Sequence, residues 1–387
     1  MTALRRAAAF CADRWYLRGL VGAGLLSGIL WISIYWVDMA GSPVDRRVAL
    51  TFLVNLVAVI GIQVFMGNSG VVSFGHVAFV GLGAYTSALL TTPPATKKLT
   101  SLIPDAPGFI LNAHMGFLPA TLVAIAVVMV FAAVVGVVFV RMNGAAAAIA
   151  TLSLLVIVRV VLGNWSQLTR GPKTFFGVPE YTTLYSALTW AIVAIFVARL
   201  FRESGLGLRL RASRTDELAS QAVGVDIRRA RYAAWVVSAG IAGVSGVLYA
   251  HLILAFAPQQ FFFDLTFLLI VMVIVGGPTV SGAVLGAAGV TIVTEFLRRQ
   301  ESGFSLGPIH VGEAFGLTTL VIGVAVLLTV VLRPGGLLGR WELDEWLGRG
   351  IRRLRDRRPG TGAQSPPIGQ DLSEPGRASE SRDAAAT

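Results

Sequence analysis

Apolar runs and short polar connections alternate along this chain from Leu20 to Leu332. A helix that crosses a hydrocarbon core about 30 Å thick needs roughly 20 apolar residues at about 1.5 Å rise each. Runs of about that kind occur at residues 20–37, 49–66, 72–90, 117–140, 145–163, 184–201, 232–256, 264–275, 282–297 and 316–332. The pattern predicts an all-α polytopic membrane protein, a bundle of about ten transmembrane helices, some short or broken. With the N-terminus inside, alternation puts residues 141–143, residues 202–231 and the Arg-rich tail inside as well. The outer connections are then 38–47, 91–116, 164–183, 257–263 and 298–315, which carry the Pro, Gly, Asn and Trp of wetted turns.

Two places break the pattern. Gly67-Asn-Ser-Gly70 interrupts the second and third runs, and Gly276-Gly-Pro-Thr-Val-Ser-Gly282 separates two runs that are short for a crossing. Lipid cannot satisfy free backbone N–H and C=O groups, so irregular backbone at membrane depth must be buried in protein or line water. The second break is either a tight helical hairpin with Gly and Pro as turn residues or part of a transport path.

Composition agrees with a membrane protein: of 387 residues, 55% are hydrophobic and only 14% charged, against roughly 25% charged in soluble domains. The net charge of +11 lies mostly on Arg in an N-terminal arm (1–19), the 202–231 loop and a tail (339–387). That is the positive-inside distribution around a transmembrane body at 20–338, and it argues against nucleic acid as a partner and for membrane lipid. Arg5, Arg6, Arg14 and Arg18 precede the first run with no small-residue cleavage site, which predicts a retained span and not a signal peptide. After Arg358 the tail has almost nothing to bury and is expected to be disordered.

The chemistry the chain lacks narrows its function. It has no Gly-x-x-x-x-Gly-Lys-Ser/Thr loop for ATP, no His-Glu-x-x-His, no Gly-x-Ser-x-Gly, and a single cysteine, Cys11. No enzyme, metal site or bound cofactor is expected. Ionisable residues inside spans are functional by default, and Arg159, His76, His251 and Glu295 are the ones read there. That is thin for a proton relay and points to energy supplied from outside the chain.

Between Gly67 and Thr86, the small and polar residues Ser73, His76, Gly83 and Thr86 recur at helical spacing. They predict either a closely packed helix or one whose Ser73/His76 end meets a translocation path. Arg159 is expected to snorkel, to pair inside the bundle or to face that path. In the 202–231 loop, Ser213 is placed to cap a helix ending at Val223, with Gly224 as its left-handed stop. Leu218, Ala219, Ala222 and Val223 form its apolar stripe, and Arg214, Asp216, Glu217 and Gln221 face elsewhere. Such a short helix is marginal alone and needs a docking partner, a base on its own bundle or the lipid surface.

Several strings, in order, resemble the permease subunits of branched-chain amino acid ABC importers, of the LivM type. They are Gly70-Val-Val-Ser-Phe-Gly-His-Val-Ala-Phe-Val-Gly-Leu-Gly-Ala-Tyr85, then Ile149-Ala-Thr-Leu152 with Arg159, Asn164-Trp165 and Leu168-Thr-Arg-Gly171. The loop Gly207 to Gly224 follows, with Arg211, Arg214, Asp216, Glu217, Ala219, Ala222 and Gly224 in place, and then Gly276-Gly277, Gly282, Gly286-Ala287 and Arg333-Pro-Gly-Gly-Leu-Leu-Gly339. The resemblance covers residues 50–338. It departs at Val156, where the family often has Glu, and at Thr215 and Gln221, also frequently Glu.

The resemblance implies one half of a permease pair in the bacterial cytoplasmic membrane, with both termini cytoplasmic. Its partners would be a second, LivH-like permease, two ABC ATPase subunits that use ATP and Mg, and an extracytoplasmic substrate-binding protein. It makes Ser73, His76, Phe79, Tyr85 and Arg159 candidates for the translocation path. Arg211, Arg214, Asp216, Glu217, Ala219 and Gly224 become candidates for ATPase coupling. A urea or short-amide permease of the same kind and an ATP-independent facilitator are the competing readings; the facilitator would need no coupling loop.

Overall fold

The computed structural model describes residues 2–99, 102–301, 304–306, 309–311, 316–332, 335–337 and 339. All of them belong to one compact unit spanning residues 1–346. The expectation of a disordered tail falls on residues outside those described.

The chain opens with α1 (Thr2–Ala40), in which the Arg-rich arm and the first span are one continuous helix. The helices that follow are α2 (Pro43–Ser69), α3 (His76–Thr91), α4 (Pro94–Leu99), α5 (Gly108–Asn112), α6 (Phe117–Phe139), α7 (Gly144–Asn164) and α8 (Ser166–Thr169). Then come α9 (Leu184–Glu203), α10 (Gly205–Thr215), α11 (Glu217–Ala222), α12 (Ile227–Ile253), α13 (Phe263–Gly276), α14 (Val280–Glu301) and α15 (Leu317–Leu332). A helix stands at each of the ten expected spans, and eight segments are long and apolar enough to cross a membrane. Of the shorter helices, α3 has 16 residues, about 24 Å at 1.5 Å each.

α2, α3 and α12 form the centre. α2 is buried without interruption from Leu53 to Ser69. α6 instead buries one stripe of mostly small residues, Ala120, Ala124, Val128, Ala132 and Gly136, and leaves Leu122, Val130, Val134 and Val137 exposed, as lipid-facing side chains are. Small residues let backbones touch at the α3–α12 crossing. A Cβ on Gly83 would stand 2.3 Å from the Gly243 carbonyl oxygen, and one on Gly246 would stand 1.9 Å from that of Val80. Only glycine fits at these two points. Beside them Ser245 donates to the Val54 carbonyl at 2.9 Å, so α12 is also bonded to α2.

The structure moves three expected boundaries. α2 continues through Gly67 to Ser69 and is closed by Gly70 at φ +73°, so the break lies at residues 70–75 and α3 begins only at His76. The reason is local: Asn68 and Ser69 bond back to the Val64 and Phe65 carbonyls at 2.8 and 2.7 Å and sustain the helix. In the 202–231 loop two helices replace the expected one. Ser213 lies inside α10 and bonds the Leu210 carbonyl at 2.8 Å, while Asp216 is the cap of α11 through Ala219 N–H at 2.9 Å. Finally, part of the expected outer connection 298–315 is ordered: α14 runs to Glu301, and Phe304–Leu306 pairs antiparallel with Ile309–Val311.

Candidate functional site

The first family string folds as a bonded node. Ser73 precedes α3 and does not share its helical stripe, yet its Oγ lies 2.8 Å from His76 Nδ1, and His76 Nε2 lies 3.0 Å from Ser238 Oγ on α12. The Ser238 hydroxyl spends its one proton on the Trp235 carbonyl at 2.8 Å, so it accepts from His76. His76 therefore carries its proton on Nε2 and accepts from Ser73 at Nδ1. The ring is 1% exposed and is packed against Phe65, Phe79 and Trp235. Tyr85 sits one end further along, among Phe175, Phe256 and Phe261, with its hydroxyl buried and without a hydrogen bond among the described residues. Ser73, His76, Phe79 and Tyr85 are thus all enclosed between α3 and its neighbours in this conformation.

Arg159, on α7, is half-buried with its guanidinium carbon 4.3 Å from the centre of the Phe262 ring. That is a cation–π contact to the segment before α13, and among the described residues Arg159 has no ion pair. His251, at the far end of α12 from His76, is fully enclosed; it lies 2.9 Å from Ser87 Oγ and 2.8 Å from the Pro179 carbonyl. Because a carbonyl only accepts, His251 carries its proton on Nδ1, the opposite tautomer to His76.

Arg211, Arg214 and Glu217 of the basic loop bond back to the protein, while Asp216 and Gln221 are exposed. Arg214 donates to the Gly67 carbonyl at 3.0 Å, and Arg211 donates to the Arg202 carbonyl at 3.0 Å. Glu217 accepts from Asn143 at 3.2 Å and stands 3.6 Å from Arg231, which itself bonds Asn143 and thereby ties α11 to the α6–α7 turn. The apolar residues turn outward: Leu218 is 79% and Val223 80% exposed, with Ala219 and Ala222 open between them. The expected stripe is therefore uncovered, and Ser220 is the buried residue of α11. Gly224 takes φ +80°, as expected of a left-handed stop.

This loop meets both chain breaks. The Pro278 carbonyl, in the turn between α13 and α14, accepts from Gln63 at 3.0 Å and from Arg202 at 3.3 Å. Gly277 holds that turn at φ +100°. The closing string lies on it, with Leu337 N–H bonded to the Val275 carbonyl at 2.8 Å. A cavity of about 170 Å³ is left between Gly67, Arg202, Arg211, Arg214 and Thr279. Arg199 and Arg202, both buried on α9, were not among the intramembrane ions read from the sequence. Their signal was the i, i+3 spacing of two arginines at the end of an apolar run. Gln63 and Asn55 were missed as well, although a polar residue every four or eight positions of α2 marks them.

Among the described residues no three of His, Cys, Asp and Glu come together as metal ligands do. Comparison with known proteins gives the same direction as the motifs. The chain is 26% identical over 349 residues to the high-affinity branched-chain amino acid transport system permease protein LivM of Escherichia coli, covering 81% of this chain and 74% of that protein. The LivM protein of Salmonella typhimurium is 26% identical over 353 residues, with the same coverage. A probable branched-chain amino acid transport permease protein LivH of Methanocaldococcus jannaschii is 25% identical over 214 residues, 49% of this chain and 63% of that protein. Residues 46–331, which include both chain breaks, the His76 node and the α10–α11 loop, match one family throughout, and the chain belongs to it: the permease components of branched-chain amino acid transport systems.

Proposed function

We propose that this chain is one of two permease subunits of an ATP-driven importer of leucine, isoleucine and valine. The observation that carries the proposal is the α10–α11 segment, with Leu218 and Val223 bare on the outside and Arg214 bonded to α2 on the inside. An apolar patch held out of the bundle by an ion-paired base is a surface for a soluble partner. The partner is an ABC ATPase, one of two, which binds and hydrolyses ATP with Mg; this chain binds no cofactor and catalyses nothing. A second, LivH-like permease completes the path and an extracytoplasmic binding protein delivers the amino acid. The α10–α11 segment and both termini are cytoplasmic, as the placement of Arg indicates.

ATP-driven movement of the ATPases displaces α10 and α11. Arg214 and Arg202 pass the displacement to Gly67 and Pro278, where α2 ends and α13 turns into α14. A ligand shifts a two-state bundle only by contacting its states unequally, so the ATPase must grip the loop better in one state. Ser73, His76, Phe79 and Tyr85 are the residues that meet the path when α3 parts from its neighbours, with Arg159 at its other end.

The test is uptake of labelled leucine in cells that lack this gene and in the same cells with it restored, with valine, isoleucine and urea as competitors. Uptake that returns with the gene and is suppressed by the branched acids supports the proposal. Leucine flux indifferent to the gene removes the amino-acid cargo, and uptake of labelled urea that depends on the gene then supports the amide reading.

A further inference from the structure

Along α2, polar side chains stand at Arg47, Thr51, Asn55 and Gln63. A step of four residues overshoots one helical turn by about 40°, so these groups wind slowly around the helix and stay against α13 and α14. The upper three line a cleft of about 600 Å³ at the end of the bundle away from α10 and α11. Leu268 and Met272 of α13 form its apolar wall, and Thr291, Thr294 and Glu295 of α14 its other side. That volume lies in the range of small-molecule sites.

Several polar groups here have no use within the described protein. Asn55 is only 8% exposed and its amide makes no hydrogen bond among the described residues. Thr291 Oγ1, across the cleft on α14, is buried with no partner among the described residues. Buried polar groups are nearly always bonded, and lipid offers no partner, so orphans gathered along a cleft point to a ligand that supplies the missing bonds. The mouth holds both signs of charge. Glu295 is fixed by Arg298 at 2.8 Å and Arg299 at 2.9 Å, and Arg299 reaches on to Asp45 at 3.1 Å. Arg47 stands exposed at the same mouth with no ion pair among the described residues.

We infer that the cleft between α2, α13 and α14 receives the zwitterion of a branched aliphatic amino acid. The ligand's carboxylate meets Arg47, its ammonium meets Glu295, the Asn55 amide oxygen and the Thr291 hydroxyl, and its side chain lies on Leu268 and Met272. Urea has neither the charges nor the aliphatic part, and an acidic amino acid would bring a second carboxylate against the apolar wall. This inference rests on the proposed function and assigns the cargo a place on this chain.

The test uses the complete importer in membrane vesicles. Asn55→Leu and Thr291→Val fill the same space and break no side-chain bond among the described residues, so insertion is preserved. Each is expected to lower uptake at subsaturating leucine roughly tenfold, the equivalent of one lost hydrogen bond to the ligand. Cys11 is the single cysteine of the chain, so Thr51→Cys in a Cys11→Ser background gives a unique thiol in the cleft. Excess leucine is expected to slow its modification by a methanethiosulfonate severalfold, while glutamate and urea do not. Wild-type uptake by both variants together with no protection by leucine overturns the inference. If the unaltered protein supports no leucine uptake, the proposed function fails on its own; the thiol experiment then decides the cleft separately, and absence of protection by leucine overturns it.

Discussion

Arg214 Nη1 donates to the carbonyl oxygen of Gly67 across 3.0 Å, joining a helix outside the spans to the last turn of a central membrane helix. The last carbonyls of a helix have no partner within it, and that of Gly67 is one of them. The bond holds α10 against α2, and under the proposed function it also passes movement of the loop to α2. Arg214→Ala is expected to cost about 1–3 kcal/mol of local stability, through the orphaned carbonyl. It should also reduce leucine uptake per ATP hydrolysed, whereas Arg214→Lys keeps a donor and part of the effect. Uptake and ATPase rate measured side by side on the assembled importer check this; an unchanged ratio in Arg214→Ala removes the bond from the coupling route.

The α3–α12 crossing makes a sharper expectation. With a Cβ on Gly246 only 1.9 Å from the Val80 carbonyl and 2.9 Å from Ala84 N, any side chain there forces the two backbones apart. Overpacking of this kind costs about 1–3 kcal/mol or more, and it also loosens the nearby bond from Ser245 to Val54. Gly246→Leu is expected to abolish monodisperse protein on size exclusion in detergent. Gly224→Ala is the control: a Cβ there meets nothing, and only the left-handed backbone opposes it, by about 1–2 kcal/mol.

Lys97 gives a pH dependence outside the spans. Its ammonium is fully enclosed and donates to the carbonyls of Ile110 at 3.0 Å and Ala113 at 2.7 Å, which fastens α4 to α5. Burial pushes its pKa down to about 8, below the roughly 10.4 of the free side chain. Between those values the unfolded segment holds more protons than the folded one, so stability rises with pH through that window and is level below it. Thermal unfolding at about pH 7.5 and pH 10 should show the gain, and Lys97→Met should lose the part due to this residue. A difference between the two pH values that Lys97→Met leaves untouched would assign the effect to other groups.

What the sequence made legible follows from periodicity and from short strings. The ten helical spans were readable because lipid-facing stretches such as Leu118 to Val138 on α6 are apolar nearly throughout. The second helix of the loop was not, because Asp216 and Ser213 are both good caps in the sequence and only the bond from Ala219 N–H chooses between them. His76 was marked by its string, but its partner Ser238 is 162 residues away and carries no local signal. Arg199 and Arg202 were hidden for a related reason. A run that scores as apolar conceals one or two cations whose fate is decided by Pro278 and other distant groups.

The outward stripe of α11 separates a docking role from a structural one. Leu218 and Val223 touch little of this chain, so Leu218→Glu and Val223→Glu should leave folding within about 0.5 kcal/mol of the parent. If the stripe is where an ATPase sits, burying a carboxylate against its apolar surface is costly, and the pair should fail to co-purify with the ATPase and to import leucine. Glu217→Arg acts by a different route. It places a guanidinium beside Arg231, which is nearly buried and 3.6 Å from the present carboxylate, and so frees α11 from the α6–α7 turn. That variant should show faster proteolysis of the loop in the isolated permease, which Leu218→Glu should not. Normal ATPase association by Leu218→Glu and Val223→Glu together would move the docking surface off α11, while leaving the inward bonds of Arg214 and Glu217 as a brace for the bundle.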